Sequence, residues 1–204
     1  MLGMAGAALG LAAAPLRAQG LEQYDYANLG FRGIGATVSF VDASQVDGTA
    51  AFGGRVDLGF LGPYIRVVPR FSFWSADVEQ SEVTNLASRL EDVAGLARGT
   101  IDLGAIERDV VIGGVDFQWT LPNAVVAPYI GLGADVYVLN DSGQAIQNTF
   151  LDDAVVTAGV SAVAGLEVPL DGHWRLSGDV RGTLVTDVSN VAIGGGVSYY
   201  FRDR

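Results

Sequence analysis

The chain carries few kinds of side chain that could do chemistry. Its 204 residues include no Cys and one His, His173, and its cations are twelve arginines with no lysine, set against 23 acids. Without Cys there is no thiol nucleophile, disulfide frame or Cys-based zinc site, and a single imidazole excludes a His-cluster metal centre. A Ser–His–acid triad would have to be built on His173. That residue ends the turn-like stretch Pro169-Leu170-Asp171-Gly172-His173, beside Trp174, and reads as a solvated turn residue. Asn140-Asp141-Ser142-Gly143 and Asp152-Asp153 gather oxygens in one loop but lack the spacing of a calcium loop. The glycine runs at 113–114 and 194–196 lie inside strand-like segments, not between a strand and a helix, so they cradle no phosphate. The expectation is no catalytic residue, no cofactor and no metal. The net charge of −11, with no basic patch, argues against nucleic acid as a partner.

Ten charges have a more regular placement. Arg55, Arg66, Arg70, Arg175 and Arg181, together with Asp57, Asp116, Asp135, Glu167 and Asp179, all fall on the polar parity of alternating segments. Five against five is neutral, within a strongly acidic chain. Enclosed charges must be paired, so this balance suits a closed polar interior. The turn centred on Asp171 is expected to set Glu167 opposite Arg175. Asp57 is expected near Arg66 and Arg70 across Gly62-Pro63.

The elements that must hold these charges are eight segments of period two, at about 31–41, 52–61, 64–75, 108–121, 128–139, 154–168, 174–184 and 191–201. One parity is uniformly apolar, as in Ile130, Leu132, Ala134, Val136 and Val138. The other is small or polar, as in Tyr129, Gly131, Gly133, Asp135 and Tyr137. A half-buried soluble strand would carry Lys and Glu on that face, whereas glycine between isolated charges is the composition of a narrow lumen. Each run is near the ~9–11 residues that cross a bilayer at a tilt. Short turns follow the second, fourth and sixth runs and longer loops follow the others, the two rims of an outer-membrane barrel. The outward aromatics Phe60, Trp119, Trp174, Tyr199 and Phe201 fall near the short-turn rim, and Phe40, Phe71 and Phe73 near the other. These are two candidate membrane-interface girdles.

Two stretches lie outside this pattern. Residues 2–16 are uncharged and rich in Ala, Gly and Leu, and they end at Pro15-Leu16-Arg17-Ala18. They read as a secretory signal peptide cut after Ala18, too short for the ~20 residues of a spanning helix. The expected organisation is a signal peptide over 1–18 and one outer-membrane β-barrel domain over 19–204, whose eleven arginines and 23 acids leave −12. Residues 78–97 place Val83, Leu86, Leu90, Val93 and Ala97 at helical spacing, with Glu82, Asn85, Arg89 and Asp92 opposite. This predicts an amphipathic helix packed over the barrel mouth or lying at the lipid interface, capped by Asp77 and Gln80.

The last strand, Gly194-Gly195-Gly196-Val197-Ser198-Tyr199-Tyr200-Phe201, resembles the terminal signal of bacterial outer-membrane proteins, followed here by Arg202-Asp203-Arg204. The stretch from Gly159 to Leu184, with Ala164-Gly165-Leu166-Glu167-Val168-Pro169-Leu170 and Trp174-Arg175-Leu176, is similar to the penultimate hairpin of small OmpA/OmpX-like barrels. The resemblance covers nearly all of residues 24–201. The fold expected is all-β: an eight-stranded antiparallel up-and-down transmembrane barrel with a short amphipathic helix in one extracellular loop. The function expected is a non-enzymatic outer-membrane protein with a structural, adhesion or interaction role, or slow passage of small solutes. Its partners would be outer-membrane lipids, the barrel-assembly machinery through the C-terminal strand, and an extracellular partner through the loops. The competing readings are a lipid-modifying barrel enzyme and a soluble lipocalin-like barrel with its apolar face inside.

Overall fold

Alternation shapes the architecture: a strand turns successive side chains to opposite faces, and a chain of such strands with no covering layer buries one face by closing on itself. A computed structural model describes residues 26–121, 125–143, 154–185 and 189–201. In it β1 (Leu29–Ala43), β2 (Thr49–Leu61), β3 (Ile65–Asp77), β4 (Glu107–Thr120), β5 (Ala127–Ser142), β6 (Val155–Pro169), β7 (Trp174–Val185) and β8 (Asn190–Tyr200) form one closed barrel. Each strand pairs antiparallel with its neighbours in sequence, and β8 returns to β1 with Tyr200 opposite Gly33 and Asn190 opposite Ala43. All eight strands lie where the alternation places them, several running further toward the long-loop rim. The expected leader, 1–18, and the tail after Phe201 lie outside the described residues.

The faces fall as an outer-membrane barrel requires. Leu132, Val160 and Val180 are exposed on the outer wall, and Val56 stands half-covered opposite Ile34. Along β5 burial alternates at every residue from Ala127 to Val138, with Tyr129, Asp135 and Tyr137 inside. An inside-out, lipocalin-like barrel is thereby excluded.

The lumen itself is layered. Toward the short-turn end it is polar and charged. Toward the long-loop end it is filled by an apolar cluster that includes Val41, Ala51, Trp74, Val110, Ile112 and Tyr137. Trp74 continues the inward set of β3 past Arg66, Arg70 and Ser72 and is 1% exposed. Eight strands leave an interior that side chains can fill, and here they do.

One strand departs from simple alternation. Gly59 sits at φ 82°, and the β2–β3 register slips between Arg55 and Phe60. A residue in the left-handed region adds one position to β2 and turns the following side chain to the other face, a glycine-based bulge. Phe60, expected on the lipid side, is in consequence buried opposite Arg66 and lies beneath the Arg32 guanidinium, 5.3 Å from its ring centre. Pro69 of β3, which has no N–H to donate, lies level with this break, where the ladder toward β2 is already interrupted.

The helix α1 spans Gln80–Ala94. Its N-cap is Glu79 with no side-chain capping bond, not the Asp77–Gln80 pair that spacing suggests. It ends at Gly95 (φ 67°), whose N–H bonds the Glu91 carbonyl. Val83 and Ala87 pack against Leu103 and Ile106, with Leu86, Leu90 and Ile101 at the margin. The helix thus folds onto its own returning segment and packs on none of the barrel strands. Val93, expected on the packed face, is 89% exposed. Covering from one side only, by residues 101–106, sets which stripe of the helix is buried.

Candidate functional site

The enclosed charges form two linked groups. In the lower one, Arg66 Nη1 lies 2.7 Å from Glu167 Oε2 and 3.6 Å from Asp57 Oδ2. Its other guanidinium nitrogens donate to Gln118 Oε1 at 3.2 and 2.7 Å. Arg175 reaches Glu167 Oε1 at 3.0 Å and stacks 4.6 Å over the Tyr200 ring. Arg55 donates twice to Ser198 Oγ and stands 3.9 Å from Glu167. The Tyr200 hydroxyl, 3.0 Å from Asp57 Oδ2 and 3.3 Å from Glu167 Oε1, ties the two acids together. Asp57 also accepts the Gly59 N–H at 2.7 Å, so the bulge that displaces Phe60 also orients a buried carboxylate.

Above this group, Asp116 accepts a fork from Arg181 at 2.6 and 2.9 Å, and Arg70 lies 3.4 Å from the same carboxylate. Arg70 also pairs with Asp135 at 2.7 Å. Gln118 Nε2, 3.4 Å from Asp116, connects the groups, while Asp179 accepts the Tyr129 hydroxyl at 2.8 Å. Room for these acids comes from glycine. A side chain at Gly114 would collide with the Asp135 carboxylate and come within 2.9 Å of the Ala134 carbonyl. Planar, multiply donating arginines are the cations suited to several acceptors at once.

All ten sequence-derived charges therefore face the lumen, but not always in the pairs that spacing suggests. Glu167 is opposite Ser177 and Arg175 opposite Pro169, and the two charges meet on a diagonal. Asp57 meets Arg66 as expected, whereas Arg70 turns to Asp135 and Asp116. Tyr129, Tyr200, Gln118, Ser161 and Ser198 complete the network. Each lies on an inward parity set, which is the signal that marks it. The chords across the barrel, such as Arg66 to Glu167 or Arg181 to Asp116, have no trace in local spacing.

Of the aromatics, Phe40, Phe71, Phe73, Trp119, Trp174 and Phe201 are exposed on the outer wall. Tyr199 is half-buried, edge-on to Trp174 at 5.0 Å and stacked on His173 at 5.5 Å. Phe31, stacked on Phe201 at 5.1 Å, and Phe52, opposite Phe73, extend the two belts. His173 thus belongs to the short-turn rim. Its turn is fixed by Asp171, whose carboxylate accepts the Trp174 and His173 N–H groups at 2.6 and 2.8 Å and is held below the usual carboxylate range by them.

The long-loop rim carries the other organised feature. The hairpin of α1 is fastened at its base, where the Val78 N–H bonds the Ile106 carbonyl and the Glu79 N–H the Gln45 carbonyl. At its far end Glu91, almost wholly covered, accepts the Ile101 N–H at 2.8 Å. That bond, with further N–H groups of the same turn and nearby Arg98, keeps its carboxyl more acidic than an ordinary Glu. Asp42, Asp47, Asp77, Glu79 and Glu107 surround the hairpin base, all exposed.

The family model described as outer membrane protein beta-barrel domain matches residues 4–201 of the chain. No curated protein sequence matches it. Among solved structures it resembles Neisserial surface protein A, with a TM-score of 0.56 and 12% identity over 83% of this chain and 97% of that one. It also resembles Ail, the attachment invasion locus protein of Yersinia pestis, in a crystal with the heparin analogue sucrose octasulfate. There the TM-score is 0.51 at 16% identity, over 84% and 97% of the two chains. At such identities the likeness is one of fold.

Proposed function

Because this chain belongs to the outer-membrane β-barrel family and is an integral barrel of the bacterial outer membrane, we propose that it is a closed, non-enzymatic envelope protein that meets other molecules through its long-loop rim. One observation carries this reading: among the described residues, side chains occupy both the lower and the upper part of the lumen. Arg66, Glu167 and Asp116 lock its lower part, and Trp74, Val110 and Tyr137 fill its upper part. A barrel plugged in this way offers no path for the solute passage that its size class leaves open. His173, the chain's one imidazole, is stacked on Tyr199 at the rim opposite the loops, away from any outer-leaflet or extracellular substrate. The folded hairpin of α1 is what remains to make contacts, and acids surround its base. A cationic partner, such as a basic peptide, fits that rim. A sulfated sugar such as the heparin analogue in the crystal of the Yersinia protein does not.

Residues 1–18 act in this reading as the cleaved leader, and β8 with Phe201 presents the strand handed to the assembly machinery. Two experiments test the proposal. Purified protein in a planar bilayer should show no steady conductance. Proteoliposomes should retain an oligo-arginine peptide but not heparin, and replacing residues 80–104 by a short turn should abolish the retention. A steady open channel, or heparin binding that survives the replacement, sinks the proposal.

A further inference from the structure

The lipid-facing wall is uneven. Around β2 to β5 it bears Phe52, Phe71, Phe73, Phe117 and Trp119, all exposed. Across β6 to β8 it is cut by a groove of about 910 Å³. The floor follows one cross-strand row: Leu132 opposite Ala162, Ala162 opposite Gly182, Gly182 opposite Val191, and Val191 opposite Asp42. Val160 and Leu184, a pair in the adjacent row, form its wall. The row begins mid-strand in β5 and ends one residue below the top of β1, so it climbs from the middle of the membrane to the long-loop rim. There it meets Asp42, Ser44 and Glu79.

Both length and charge point to an occupant. Four strand spacings of ~4.8 Å make the groove ~19 Å long, comparable with the ~15 Å that one leaflet contributes to a ~30 Å hydrocarbon core. Its floor is alanine and glycine, and its upper end carries two carboxylates with no basic side chain among the described lining residues. In a bilayer no hydrophobic force drives binding, but an unfilled furrow forfeits dispersion contacts along its whole lining, and a slim chain restores them. A second barrel seated there would bring another Asp42 and Glu79 into the same rim region, like charge against like charge.

We propose that the groove from Leu132 to Asp42 holds one straight acyl chain of a lipid in the loop-side leaflet, whose amine-bearing head group is received by Asp42 and Glu79. The groove lies on the outer wall and shares only Asp42 and Glu79 with the acidic rim assigned to partner contact, so a variant that fills the groove and leaves those acids in place tests it separately from that reading.

Glycine supplies a matched pair of variants. A Cβ added at Gly182 meets nothing within 4 Å, and the same holds at Gly113, which faces lipid between Phe71 and Val136. Gly182→Leu therefore fills the groove without straining the wall, and Gly113→Leu adds the same bulk elsewhere. Ala162→Leu blocks the floor independently.

The full chain and its variants, each checked for heat-modifiable migration, are placed in nanodiscs of equal parts saturated phosphatidylethanolamine and phosphatidylglycerol. They are then released into mild detergent and weighed by native mass spectrometry. The native chain and Gly113→Leu should each keep one phosphatidylethanolamine. Gly182→Leu and Ala162→Leu should keep it about tenfold less. The double variant Asp42→Asn, Glu79→Gln should keep a lipid without distinguishing the head groups. Equal retention by Gly182→Leu and Gly113→Leu overturns the site. A mass of two barrels that Gly182→Leu abolishes assigns the groove to a second copy instead. Retention of phosphatidylglycerol that depends on added magnesium overturns the amine.

Discussion

Arg66 shows how unequal the ten enclosed charges are. It is buried, serves Glu167, Asp57, Gln118 and Tyr200 together, and is the one cation paired with Asp57 among the described residues, whereas Glu167 also has Arg175 and Arg55. Arg175 shares Glu167 but leaves that acid still paired when it is removed. Arg66→Ala should therefore cost ~3–5 kcal/mol, the penalty for stranding an enclosed acid. Arg175→Ala should cost about 1.5 kcal/mol, the loss of one charged hydrogen bond. Arg66→Lys should behave nearly as badly as the alanine, since a point charge cannot span four acceptors. Urea unfolding in micelles, followed by tryptophan emission, orders the three. If Arg175→Ala proves the costlier of the two alanines, Glu167 depends on the wrong arginine in this description.

The α1 hairpin is an element with its own core. Val83, Ala87, Leu103 and Ile106 bury one another, and its base is zipped by the Val78–Ile106 bond directly above the Asp77–Glu107 pair of the barrel. Replacing residues 80–104 by a turn should leave membrane insertion and heat-modifiable migration intact, because no wall pairing is lost. A deletion that fails to insert would show that the hairpin takes part in closing the barrel.

Acid should loosen the hairpin before the barrel. The Glu91 carboxyl is more acidic in the fold than in the unfolded chain, so its support is complete above the ordinary Glu range and disappears as pH falls through the lower, folded value. The Ile101 amide shift, followed by NMR on acidification, should titrate below the ~4.3 of a free Glu. In Glu91→Gln it should stay flat, and a midpoint at or above the free value contradicts the bond.

At the scale of the whole molecule the charges divide into two populations. Those in the lumen cancel and are shut away from water. The −12 of residues 19–204 consequently belongs to the rims, loops and ends. Salt screens exposed charges beyond about a Debye length of ~10 Å at 0.1 M and enclosed pairs far less. Raising the salt from 0.05 to ~0.5 M should therefore weaken retention of an oligo-arginine peptide strongly while moving the unfolding midpoint little. A midpoint that falls together with peptide retention would place water in the lumen.

Strand number, strand order, the lipid-facing set and the inward address of all ten charges were legible in the sequence, because a period of two is a local property and a closed barrel must obey it everywhere. The helix was legible for the same reason, from a period near 3.6. Three things waited for the tertiary structure. Phe60 changed face because one left-handed glycine shifts parity, and nothing in the alternation around Gly59 announces a bulge. The helix chose Val83 and Ala87 over Val93 because its cover is the segment 101–106, a partner set by how the loop returns. The pairing of Arg66 with Glu167 and of Arg181 with Asp116 depends on which walls face each other across the lumen. That distance is fixed by barrel closure and strand stagger, and no spacing along the chain records it.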